Sequence, residues 1–154
     1  MEYGSIEREI YVDASPEVVF EVISEPEHLR EWWPDDATLD PVPGGVGELV
    51  WSADGPELAL VVPMTVVEAV LPRLFSFRWA YDPSVIPGRS NSFLVTFELV
   101  PSSAGTTVRL TETGFRDQGW EVALLEAAYH EHGDSWDRFL PRLGEYLARL
   151  VSAP

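Results

Sequence analysis

The stretch WEVALLEAAYHEHGDSWDRFLPRLGEYLARLV, residues 120–151, decides how the rest of the chain must fold. Its apolar residues recur every three or four positions: Leu124, Leu125, Ala128, Tyr129, His132, Trp136, Phe139, Leu140, Leu143, Leu147 and Leu150. Between them lie charged positions such as Glu126, Glu131, Asp134, Arg138, Arg142 and Glu145. That spacing predicts one amphipathic helix with a wide apolar stripe. At roughly 1.5 Å of rise per residue it is about 45 Å long. Such a helix needs a partner for its stripe, and most of the chain upstream reads as strand. The expectation is therefore α+β, a curved antiparallel sheet of about six strands wrapped around one long C-terminal helix, with two short helices after the first strand. Pro141, inside the helix, removes a backbone bond to the carbonyl of Asp137, so a kink or break is expected there.

Upstream, Ile6, Ile10 and Val12 alternate with Glu7, Glu9 and Tyr11, which predicts a half-buried first strand over residues 4–12. Ser15-Pro16-Glu17 starts a helix, with Ser15 as N-cap and Pro16 at its first position, burying Val18, Val19, Phe20, Val22 and Ile23. A second short helix runs from Glu27 to Trp33. Residues Asp35–Gly47, rich in proline and glycine, read as loop. Strands follow over Glu48–Ser52, Leu58–Val70, Leu74–Tyr81, Ser92–Val100 and Thr106–Thr113. Turns are expected at Asp54-Gly55-Pro56, Leu71-Pro72-Arg73 and Pro101–Gly105, and a loop at Asp82–Asn91. Pro63 predicts a bulge or an edge position. No repeat or linker divides residues 1–154, which read as one domain.

Composition narrows function. The net charge of −16 opposes nucleic acid and anionic membrane surfaces as partners. No run is long and apolar enough to span a bilayer, no signal pattern is seen, and a cytoplasmic location is the expectation. There is no cysteine, hence no disulfide and no thiolate chemistry. All ten basic residues are arginine, and residues 1–40 hold twelve acidic side chains against Arg8 and Arg30, a balance of −10. This is a solvated acidic face or a docking surface for a basic protein partner.

The aromatic residues carry the functional reading. Trp51, Phe77, Trp79, Phe93, Phe97, Phe115, Tyr129 and Trp136 fall on faces directed at the sheet–helix gap, with Met64, His132 and Leu140 beside them. Such side chains fill a core or line a pocket for an apolar or aromatic ligand. Tyr129, His132, Arg78 and Glu112 are the candidate polar groups, although alternation turns Arg78 outward if Phe77 is inward. His132 could serve as a general base, but the helix offers it no orienting carboxylate on the same face. His130 and His132 diverge on a helix, so no metal site is expected, and no cofactor fingerprint occurs. His28 is expected to be exposed. The glycine-rich Pro43–Gly47 precedes a strand and reads as a turn or entrance loop.

The order of motifs resembles a known family. Residues 10–20 (IYVDASPEVVF), Ile23–Leu29 and Trp32-Trp33 are similar to the opening of START-like (SRPBCC) helix-grip proteins. Residues 95–101 (VTFELVP), 105–112 (GTTVRLTE), Gly114-Phe115 and His132-Gly133 with Trp136 resemble the branch related to the C-terminal domain of heat-shock-protein ATPase activators. Where that branch has His-x-x-Gly-Trp, this chain separates Gly133 from Trp136 by Asp134 and Ser135. The resemblance implies a helix-grip fold with a cavity between sheet and helix. Three functions are in view: binding of a small hydrophobic or aromatic molecule, a cyclase- or hydrolase-like activity on such a molecule, and a co-chaperone-like interaction module. Either a monomer or a homodimer is compatible with this reading.

Overall fold

The computed structural model describes residues 4–51, 60–80, 84–88 and 91–152. The expected turn at Asp54-Gly55-Pro56, the expected strand start at Leu58, and residues 82, 83, 89 and 90 of the expected loop lie outside that set. Among the described residues the order is β1 (Ser5–Val12), α1 (Pro16–Ser24), α2 (Pro26–Trp32), β2 (Asp36–Leu39), β3 (Val46–Trp51), β4 (Leu60–Val70), β5 (Leu74–Trp79), β6 (Phe93–Ser102), β7 (Gly105–Thr113) and α3 (Val122–Ser152). The strands form one antiparallel sheet in the order β1-β7-β6-β5-β4-β3-β2. The sheet has seven strands, not about six. The extra one, Asp36–Leu39, lies within the stretch read as loop and is held by pairing with β3.

Local chemistry fixes the start of the chain. The Ser15 side chain accepts from the Val18 amide at 3.3 Å, and Pro16 opens α1. The indole of Trp32 donates to the Val22 carbonyl at 3.0 Å and ties α2 to α1. Pro63 makes neither a bulge nor an edge. It pairs in register with Glu48, and its carbonyl accepts from Ala80 just beyond the last β4–β5 pair, Met64 with Trp79. A residue in an antiparallel strand turns its N–H and C=O to the same neighbour, so the missing donor falls at the end of that ladder. The register shift in β4 lies between Val66 and Glu68 instead. Gly114 closes β7 at φ 108°, where a Cβ would also stand 2.9 Å from the Ser92 carbonyl oxygen.

Helix α3 is continuous through Pro141. The expected break does not occur because Pro141 and Asp137 both face solvent, where an unpaired carbonyl is tolerated. Its buried stripe is Leu125, His132, Trp136, Phe139, Leu140, Leu143 and Leu147. Leu124 and Leu150 are exposed, not part of the stripe. The core lies between this stripe, α1 and α2, and inward strand residues such as Phe75, Phe77, Val95, Phe97, Val108 and Leu110. Each large apolar side chain buried there contributes about 1.5–3 kcal/mol. No helix among the described residues is long and apolar enough to cross a membrane.

Candidate functional site

Strand alternation carries Thr106, Val108, Leu110 and Glu112 of β7 to the inner face of the sheet. Glu112 is thereby fully buried, and three donors converge on it. Trp79 of β5 donates its indole N–H to Oε2 at 2.8 Å. Trp136 of α3 donates to Oε1 at 2.9 Å. His132, one turn earlier on α3, places Nδ1 2.9 Å from Oε2, and against a carboxylate that nitrogen is the donor. A buried carboxylate costs several kcal/mol unless it is compensated, and here three convergent hydrogen bonds compensate it. The imidazole is itself enclosed, with ring centroids of Phe93 at 4.5 Å, Phe115 at 5.2 Å and Trp79 at 5.9 Å. The group that orients His132 thus comes from a strand, not from the helix.

Beside this cluster the sheet–helix gap is filled by Trp33. The residue caps the end of α2, its N–H donating to Leu29, and its ring enters the gap. It stacks on Trp32 at 5.5 Å and meets Trp79 and Trp136 at 5.2 Å each, and Trp51 and Phe77 at 5.9 Å each. The opening left among the described residues is a cleft of about 170 Å³ lined by Trp33, Trp51, Leu60, Trp79, Glu131, Ser135, Arg138 and Phe139. Trp79 forms part of this lining with its ring while its N–H is held by Glu112. Phe139 faces Trp51 at 6.4 Å between centroids. Larger concavities lie away from these rings, among them one of about 340 Å³ bounded by Glu7–Glu9 and Arg109–Thr111 and two more. One of these two, about 490 Å³, is bounded by Val70, Arg73, Leu74 and Glu98–Pro101; the other, about 330 Å³, lies between α1 and the Pro41–Pro43 loop.

Of the expected pocket residues, Trp51 and Trp79 line the cleft. Met64, Phe77, Phe93, Phe97, Phe115, His132, Trp136 and Leu140 are buried behind it, and Tyr129 is half-buried against Phe115 at 5.5 Å. Many of the rings expected to face the sheet–helix gap are in contact with each other. Trp33, Ser135, Arg138 and Phe139 also belong to the cleft, and none was among the expected site residues. The available signal was Trp33 directly before Pro34, where the helix must end and the side chain is released from the helical row. Glu112, in the sequence one of four candidate polar groups, continues the inward series Val108, Leu110. His28 is not exposed as expected: it is half-buried, with Nδ1 2.8 Å from the Tyr146 hydroxyl.

With this geometry in hand, comparison with known proteins places the chain. Residues 13–148 match the family model described as activator of Hsp90 ATPase homolog 1-like protein. No curated protein sequence matches the chain. Among solved structures, NE0264 from Nitrosomonas europaea is similar at TM-score 0.77 and 17% identity, covering 99% of this chain and 99% of that one. MLL2253 from Mesorhizobium loti is similar at TM-score 0.73 and 24% identity, covering 94% and 97%. The Aha1 dimer from Colwellia psychrerythraea, a solution structure, is similar at TM-score 0.70 and 20% identity, covering 93% and 95%. At these identities the likeness is one of fold, and it is the helix-grip fold that the motif order implied. The family match extends over most of the sequence, and this chain therefore belongs to the activator of Hsp90 ATPase homolog 1-like family.

Proposed function

We propose that this chain binds a small, flat apolar or aromatic ligand in the cleft between α3 and the β3–β5 end of the sheet. The observation that carries the reading is an aromatic-walled opening in the sheet–helix gap, where Trp51 is only part-buried and Leu60 is 44% exposed. Apolar walls with a few placed polar groups are the usual composition of a ligand site. The volume, about 170 Å³, is below the ~300–1,000 Å³ of sites for drug-sized molecules. It therefore favours a one- or two-ring body over a steroid or a long acyl chain. Calorimetric titration and thermal melting with a panel of such compounds test this, because a ligand bound only by the folded state raises its stability. Saturable binding that is lost in Trp51→Ala is expected. Absence of binding by every one- and two-ring compound overturns it.

The buried Glu112–His132 pair does not support the cyclase- or hydrolase-like alternative. An acid or base must lie within hydrogen-bond reach of the reacting group, and Glu112 and His132 are buried and bonded to each other.

Action on a protein partner has an observation of its own. Glu17 and Glu21 of α1 and Glu27 and Glu31 of α2 face solvent, and Arg30 of α2 is paired with Asp36. Beside them, Phe20, Val42 and Leu71 line the concavity of about 330 Å³ whose rim carries Glu21 and Glu25. This combination suits a partner segment with an apolar side chain flanked by basic residues. Capture of a basic amphipathic peptide should weaken with salt and with Glu21→Lys. Failure to capture it at low ionic strength removes this reading.

A further inference from the structure

We infer that the cleft ligand carries an anionic head, a carboxylate or a group of like charge and shape, seated at Arg138 and Arg142. The inference rests on the cleft reading above and adds the chemical class. Both arginines flank Phe139, which lines the cleft: the guanidinium carbon of Arg142 stands 5.2 Å from the ring centroid and that of Arg138 6.0 Å. Their long stems are settled against an aromatic face in a cation–π arrangement.

Neither makes an ion pair among the described residues. Arg73 and Arg78 likewise make no ion pair among the described residues, but neither lines the cleft. Arg8, Arg30 and Arg109 each hold a carboxylate. Asp134 lies one turn before Arg138 and Glu145 less than a turn after Arg142, yet neither pairs with them. A guanidinium presents its donors in a planar fork that matches a carboxylate in two hydrogen bonds, so an acid is the natural occupant.

The cleft also has polarity along its length. Glu131 lines it two turns before Arg138, about 10 Å away along the helix. Its charge repels an acidic head at that end and leaves the Arg138 end as the seat. Ser135, between them in the lining, offers a hydroxyl. A flat acid would therefore lie with its rings against Trp51 and Trp79 and its head toward Arg138.

Naphthoate and its neutral amide, naphthamide, share one ring body and differ in charge, and calorimetric titration of both tests the assignment. Naphthoate should bind the natural chain about tenfold more tightly than naphthamide. In Arg138→Gln/Arg142→Gln the two should bind alike. Equal or tighter binding of naphthamide by the natural chain overturns the anionic head, as does an unchanged ratio in the double variant, while leaving the cleft itself standing. Binding of neither compound overturns the anionic head, and the cleft reading falls with it only if the whole one- and two-ring panel also fails.

Discussion

Two adjacent rows of the same helix meet opposite fates. His132, Trp136 and Leu140 form one row, each four residues from the next, and they are buried, the first two bonded to Glu112. Glu131, Ser135 and Phe139 form the next row, one position earlier, and line an opening. One residue is about 100° of rotation on a helix. That rotation separates a satisfied polar cluster from an unfilled aromatic wall. The first row shows what this fold needs in order to stand. The second shows what it leaves available.

The sharpest way to break the contrast is Glu112→Ala. It strands two indole N–H groups and an imidazole in the core, and a loss of about 5 kcal/mol or outright unfolding is expected from removing one member of such a buried set. Denaturant titration measures it, and Glu112→Gln should cost less because one acceptor oxygen is retained. Trp33→Ala should cost about 3–4 kcal/mol through the void it leaves, and should also admit larger ring systems to the gap. If it leaves ligand size preference unaltered, Trp33 is not the wall that limits the cleft. Trp51→Ala, at a part-exposed position, should cost about 1–2 kcal/mol while abolishing binding. The two rows are distinguished if stability and binding separate in this order.

The smallest effect concerns Tyr146. Burial, then the charges of Glu31 and Glu27, hold its hydroxyl pKa above the ordinary 10.0, with Arg149 opposing. The folded state therefore keeps that proton more tightly than the unfolded chain. The resulting stability is fully present below pH 10 and is lost as pH rises past it. Tyr146→Phe should lose about 1 kcal/mol with the His28 hydrogen bond, and its alkaline melting curve should be flatter than that of the natural chain.

Much of the architecture was legible because it depends on periodicity. The alternation through Phe93, Val95 and Phe97 and the helical spacing from Leu125 to Leu147 encode which face is buried. β2 was not legible, since four residues carry too little pattern and their strand geometry comes from pairing with β3. The break expected at Pro141 does not form, because the bond lost there lies on the exposed face of the helix and its neighbours keep α3 continuous. The Glu112 cluster was hidden for a different reason. Its donors come from β5 and α3, and the distance between Trp79, Glu112, His132 and Trp136 exists only once the sheet curves around the helix. Trp33 was hidden because a residue leaving a helix end has no periodic address.

The packing around Trp33 also has an optical consequence. Trp32, Trp33, Trp51, Trp79 and Trp136 form a contiguous array with neighbouring centroids 5.2–5.9 Å apart, whereas Trp120 stands apart beside Phe93. At such separations excitation migrates freely among indoles, so light absorbed anywhere in the array is emitted from its lowest-energy member. A quenching molecule touching Trp51 or Trp79 would therefore darken the emission of the whole five-indole array at once, which gives this chain an unlabelled reporter of its own occupancy.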